Sequence, residues 1–158
     1  MPQKIKQPKN KKIEELKAKF TLEWNKTFGA EQTKRFNSVQ AYVDSECIRL
    51  MSKYTPMKNG LLFKSPVIGT VIGSGHIVYS VPYARYQYYG VVYGPNIPIR
   101  ENGTIIGFWS PPKKTPTNRE LKYKTHRHPQ AQKLWFEVMK QNHKEQILRG
   151  AAAEAAKK

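Results

Sequence analysis

Apolar and polar residues alternate along residues 17–25. Ala18, Phe20, Leu22 and Trp24 fall on one face and Lys19, Thr21 and Glu23 on the other. A period of two is the mark of a strand. A helix through Ile13, Leu16, Phe20 and Trp24 is the competing reading, and a short helical or irregular start followed by a strand is preferred. Phe28-Gly29 breaks the alternation. From Glu31 to Tyr54 the period changes, with Phe36, Val39, Val43, Cys47, Leu50 and Tyr54 recurring at spacings of three and four. That spacing predicts a long helix with one apolar stripe. Thr55-Pro56 stops it, because proline cannot continue a helix and restricts the residue before it.

Beyond this helix the apolar runs shorten. Leu61–Phe63 and Val67–Ile72, the turn Gly73-Ser74-Gly75 and the return Ile77–Val81 predict a β-hairpin over 61–81. Ile97 and Ile99, then Asn102-Gly103, then Ile105, Ile106, Phe108 and Trp109 predict a second, since Asn-Gly is the favoured two-residue turn. Residues 110–128 read as a polar, basic loop. The last helix is predicted to start near Pro129, with Ala131, Leu134, Trp135, Val138, Met139, Ile147 and Leu148 as its apolar face. Gly150 ends or interrupts it; Ala151–Ala156 extending the helix before the chain frays is the competing reading, and 151–158 is assigned as a frayed extension. The fold class is α+β: a long helix in the N-terminal half and a closing helix packed on an antiparallel β-sheet with hairpins and long loops. Residues 13–150 form a single domain and residues 1–12 a disordered basic tail.

Composition narrows the chemistry. Among 158 residues Cys47 is the only cysteine, which excludes an internal disulfide or a cysteine-rich zinc site. No apolar run approaches the roughly 18 residues of a membrane helix, and the lysine-rich start has no leader pattern. Folding in a cytoplasm is the expectation. The net charge of +17 is unevenly spread. Residues 1–19 hold seven lysines against two glutamates, and residues 111–158 twelve basic residues against four acidic. A near-neutral middle with basic ends suggests a folded core with basic extensions rather than one continuous nucleic-acid groove.

Candidate catalytic groups are weak. Gly69, Gly73 and Gly75 lack the Gly-Lys-Ser/Thr of a phosphate loop. Carboxylates are few and scattered. His126-Arg127-His128 has the residue types for a metal ligand pair or a proton shuttle, with His76 or His143 as a third ligand, but no spacing supports it. A basic loop leading into Pro129 is the preferred reading. Cys47 lies on the apolar stripe, where packing is its expected role. Six tyrosines between Tyr79 and Tyr93 surround Arg85. Such a run either stacks nucleic-acid bases or forms an interface. Because Arg85 is the only Lys, Arg, Asp or Glu in residues 65–99, interface or packing is preferred.

Three segments, in order, resemble a known family. Tyr54-Thr55-Pro56-Met57-Lys58-Asn59-Gly60-Leu61-Leu62, with Ser65 behind it, is similar to the Tyr-x-Pro-x-x-x-Gly-x-Leu-x-x-Ser segment of phage minor capsid and tail-completion proteins. Tyr79-Ser80-Val81-Pro82-Tyr83-Ala84-Arg85-Tyr86, followed by Tyr89-Gly90, resembles that family's Tyr-x-x-x-Tyr-Ala-x-Tyr-x-x-x-Gly signature. Pro129, Ala131 and Lys133-Leu134-Trp135-Phe136-Glu137, with Lys140 and His143-Lys144, resemble its closing helix. The resemblance spans roughly residues 31–149, and Asn59 stands where Thr or Ser is the rule. It implies a structural, non-enzymatic virion protein at the head–tail interface of a tailed bacteriophage, made in the host cytoplasm. It also implies a homo-oligomeric ring of six or twelve copies around the DNA exit channel. Partners would be neighbouring neck proteins, the tail terminator or tube, and possible contact with genomic double-stranded DNA, with no membrane, cofactor or metal. The motif residues expected at interfaces or in structural roles are Tyr54, Pro56, Gly60, Leu62, Ser65, Tyr79, Tyr83, Ala84, Arg85, Tyr86, Tyr89, Gly90 and Trp135. The alternative is a basic DNA-binding accessory protein of the particle. A small hydrolase or nuclease using His126 and His128 is the third reading.

Overall fold

The computed structural model describes residues 3–15 and 18–157. Met1, Pro2, Leu16, Lys17 and Lys158 lie outside the described residues, Leu16 of the competing helix and the ends of both predicted extensions among them. The fold is α+β. In chain order the elements are β1 (Lys11–Glu15), β2 (Ala18–Leu22), α1 (Phe28–Met51), α2 (Leu61–Gly69), α3 (Ala84–Tyr89), β3 (Val91–Gly94), β4 (Ile97–Glu101), β5 (Thr104–Trp109), β6 (Thr115–Glu120) and α4 (Trp135–Ala156). The strands form no single sheet. They make three separate antiparallel pairs, β1–β2, β3–β6 and β4–β5. The described chain divides into two compact units.

The first unit holds the chain up to Arg49, Thr70–Ile77, and the chain from His143 onward. The period-two reading of residues 18–22 holds. Ile13 pairs with Phe20 and Lys11 with Leu22, so Ile13, Phe20 and Leu22 share a face. Lys12, Thr21, Glu14 and Lys19 occupy the other, where Lys19 and Glu14 form an ion pair at 3.4 Å. The segment expected as a disordered tail is tied down where it is described. Ile5 N–H donates to Thr33 Oγ1 at 3.0 Å, and Gln7 Oε1 accepts from Gly29 N–H at 2.7 Å. The start of α1 offers unpaired N–H groups, and Gln7 supplies one of the missing acceptors. α4 does not stop at Gly150. A Cβ there would overlap the Tyr42 ring, so glycine is what lets Tyr42 lie against the helix. The alanines behind it carry the helix on to Ala156. Residues 151–156, expected to fray, are the last turns of α4, and Ser38 Oγ donates to Glu154 at 2.6 Å.

The second unit holds Leu50–Gly69 and Val78–Asn142. Here the predicted hairpin over 61–81 is replaced by helix α2. A short apolar run does not distinguish strand from buried helix by pattern alone. Leu62, Ser65 and Pro66 are buried at helical spacing, while Leu61, Val67 and Ile68 remain exposed. Residues 78–80 lie along α2 rather than in a ladder. Ser80 N–H donates to Ser65 Oγ at 2.7 Å, and a Cβ on Gly69 would come within 2.9 Å of the Val78 carbonyl. The predicted 110–128 loop contains β6, which pairs with β3. Thr117 Oγ1 reinforces this pair by donating to the Val92 carbonyl at 2.7 Å. The Asn102-Gly103 hairpin forms as predicted, with positive φ at both residues. α4 starts at Trp135 rather than near Pro129. Leu134, at φ 52°, reverses the chain first, and its carbonyl takes the first helical bond from Val138.

Candidate functional site

All thirteen motif residues fall in the second unit. Their centre is Trp135, only 1% exposed. The first turn of α4 points this indole inward. Tyr79 packs on it tilted, with ring centres 5.4 Å apart, and Tyr88 meets it edge-on at 4.9 Å. Tilted and edge-on pairs match the quadrupoles of aromatic rings and bind better than a face-to-face stack. Burial pushes the Tyr79 phenol above its ordinary pKa, partly offset by the Thr55 hydroxyl and the Trp135 indole beside it. Tyr54 is buried too. Its hydroxyl accepts from Asn142 Nδ2 at 3.2 Å, and its carbonyl accepts from Gln132 N–H at 3.1 Å.

The remaining motif residues shape the backbone around this centre. Pro56 follows the end of α1, and Thr55 Oγ1 returns to the Met51 carbonyl at 3.0 Å. Gly60, at φ 84°, turns the chain into α2, where Leu62 and Ser65 are buried. Gly90, at φ 70°, closes α3 by donating to the Tyr86 carbonyl at 3.0 Å. A side chain at Gly90 would come within about 3 Å of the Tyr123 hydroxyl and of Lys133. In α3, Ala84 is buried. Tyr88, four residues on, turns inward with it, while Tyr83, Tyr86 and Tyr89, spaced by three, face outward. Arg85 is exposed. The tyrosine run therefore divides into a packing half and a surface half.

A groove of about 370 Å³ runs beside this outward edge. Pro56, Leu62 and Tyr83 of the first two motifs line it with Leu121, and Lys58 and Lys124 carry charge into the lining. Tyr123 ties its far wall to α3 by donating to the Gln87 carbonyl at 2.5 Å. Burial, with the Glu120 carboxylate adding to it, pushes the Tyr123 phenol up to about 12.

His128 Nδ1 lies 2.7 Å from the Thr55 carbonyl and its ring meets Phe63 edge-on, while His126 is exposed. Among the described residues no three of His, Cys, Asp and Glu are grouped to hold a metal ion. Cys47 is half-buried on α1. Burial, then Asp44 and Glu46, raise its pKa, which favours the unreactive thiol. Four structurally important residues are absent from the expected site residues: Thr55, Tyr88, Tyr123 and Asp44. Tyr88 had a signal in its i+4 spacing from Ala84. The others act through contacts with distant segments, which no periodicity encodes. No helix among the described residues is long and apolar enough to cross a membrane. The chain matches no protein-family model, no curated protein and no solved structure.

Proposed function

We propose that this protein is an assembly subunit, a non-enzymatic component whose surface is completed by neighbouring molecules. Within that class, it is a ring-forming neck or tail-completion subunit of a tailed bacteriophage, joining the head connector to the tail. The carrying observation is the convergence of the three family-like segments. Residues 54–65, 79–90 and 135 are far apart in the chain, yet they build one compact unit around Trp135. Their outward members, Tyr83, Tyr86 and Tyr89, are left on its surface. Tyrosine and arginine are enriched where proteins meet. Many other large apolar residues are also exposed, including Ile68 at 80%. Exposed apolar groups beyond scattered single residues mark contact surfaces. The ring of six or twelve copies, the neck neighbours and the place in the virion belong to the same proposal.

The test is electron microscopy of lysates from a phage whose copy of this gene is disrupted. DNA-filled heads beside separate, finished tails are the expected result. Missing or aberrant heads would move the protein into the capsid, and normal infectious particles would sink the reading.

A further inference from the structure

The groove beside α3 lies wholly within the second unit, between the chain that leads into α2 and the stretch that follows β6. Its lining is largely aliphatic, with Pro56, Leu61, Leu62 and Leu121. Leu62 is buried, whereas Leu61 is 56% exposed and leaves an apolar side chain uncovered there. The charged groups of the lining all have one sign. Lys58, Lys122 and Lys124 are exposed, and none has an ion-pair partner among the described residues. Asn59 adds to them. Its Oδ1 accepts from Leu61 N–H at 3.3 Å, which leaves the amide NH2 group to donate. No carboxylate lines the groove among the described residues. Glu120, next to the wall formed by Leu121–Lys124, is engaged by Lys133 at 2.6 Å.

We propose that this groove seats an acidic segment of a neighbouring protein, with apolar side chains between its carboxylates. Charge complementarity carries the argument. Three like charges around one apolar recess favour carboxylates brought among them, and they disfavour a cationic partner. The aliphatic lining gains from being covered by apolar side chains. At about 370 Å³ the groove is in the range that holds a ligand of a few side chains, not a folded domain. This chain is a poor source of such a segment. Its only adjacent acidic residues, Glu14 and Glu15, belong to β1, where Glu14 is ion-paired with Lys19. Asp44 is buried and Glu46 is held by Arg49 at 2.7 Å. The other acidic residues are scattered singly. The occupant therefore comes from a different protein and not from a second copy. Nucleic acid fits less well. Single strands are held by stacking their bases on aromatic platforms, whereas this lining is mainly aliphatic and its Tyr123 is tied to Gln87.

This inference deepens the assembly-subunit reading and rests on it, since that reading supplies the neighbour. The experiment is fluorescence anisotropy on the full-length chain at physiological salt, with circular dichroism to verify that each variant folds. The probe is a fluorescein-labelled peptide of alternating Glu and Leu. It should bind saturably, and Lys58→Glu with Lys124→Glu should weaken it by about 10-fold. Lys113→Glu with Lys144→Glu removes the same net charge at exposed positions outside the groove, and should change binding by less than about twofold. Leu61→Ser should cost about fivefold, because the apolar cover is lost. A peptide of alternating Gln and Leu should bind about 10-fold more weakly than the acidic one. Absence of saturable binding would overturn the proposal. So would equal losses from the two lysine pairs, which would report net charge alone, or equal binding of the two peptides. A labelled oligothymidylate that binds more tightly than the acidic peptide, through the same Lys58 and Lys124, would assign the groove to nucleic acid instead. If the peptide behaves as expected but phage particles lacking the protein are normal, the groove stands and the neck reading falls. If the peptide does not bind but those lysates hold unjoined heads and tails, the groove falls and the neck reading stands.

Discussion

Gly90 shows how much a single backbone position carries. It sits at φ 70°, where its N–H closes α3, and the Tyr123 hydroxyl and Lys133 crowd the place a Cβ would take. Gly90→Ala therefore meets both a left-handed backbone and a collision, and should cost about 2–4 kcal/mol in denaturant unfolding. Gly103→Ala is the control. Its φ of 81° carries the backbone strain, but nothing lies within 4 Å, so its cost should be about 1 kcal/mol. Equal losses would mean that crowding at Gly90 is irrelevant. Tyr123 supplies a pH signature. Its phenol is raised from the ordinary 10.0 to about 12, so between these values the folded chain keeps a proton that the unfolded chain has lost. The stability this provides is complete below pH 10 and lost as pH rises toward 12. Thermal melts on either side of pH 10 should show Tyr123→Phe losing less stability on the alkaline side than the unaltered chain. Burial also raises Tyr79 and Tyr88, so some alkaline loss will persist in the variant.

At the scale of elements, the turn at 70–77 depends on α1 rather than on flanking strands. Asp44 is buried on that helix and accepts from Gly73 N–H at 2.8 Å, Gly75 N–H at 3.1 Å and Gln40 Nε2 at 2.8 Å. Both glycines have positive φ, which brings their N–H groups to one carboxylate. Asp44→Ala removes a charged acceptor and strands two backbone donors, at a cost of about 2–4 kcal/mol. Hydrogen exchange should show the Gly73 and Gly75 amides losing protection first, and unchanged protection would assign the turn's order to something other than Asp44. Ser65 does similar work in α2. Its hydroxyl accepts from Ser80 N–H in place of a strand partner. In both cases a side chain on a helix satisfies the backbone of a segment whose pattern predicts part of a β-hairpin.

At the scale of the molecule, the charge asymmetry separates the leading reading from its alternative. Lys4, Lys6, Lys9, Lys11 and Lys12 are all exposed. If residues 1–19 engage about five phosphates, affinity for duplex DNA should fall with a log–log salt slope of about −4 to −5. A flat response would remove DNA binding and leave the basic ends to dock on acidic neighbours in the particle. The same lysines bear on assembly, since a chain of net charge +17 repels its own copies at low salt. Self-association through exposed apolar groups should therefore strengthen as salt screens that repulsion, opposite in sign to DNA binding.

Local periodicity determined much of this protein from sequence alone. The 18–22 strand, the long helix α1 and the Asn102-Gly103 turn depend on neighbouring residues and backbone preferences, so the pattern suffices there, although α1 ends at Met51 rather than at Thr55-Pro56, and Phe36 of its expected apolar stripe is exposed while Asp44 is buried. The three motif segments were also legible, although not the division of their tyrosines into buried and exposed halves. Tertiary structure decided the rest. Leu61–Gly69 is a helix because Leu62, Ser65 and Pro66 are buried together, a choice its short apolar run left open. β6 pairs with β3 across twenty intervening residues, beyond the reach of any local signal. α4 passes through Gly150 because Tyr42 occupies the space beside it. Each of these outcomes follows from contacts between residues distant in the chain, and a one-dimensional pattern records which side chains are apolar but not which ones meet.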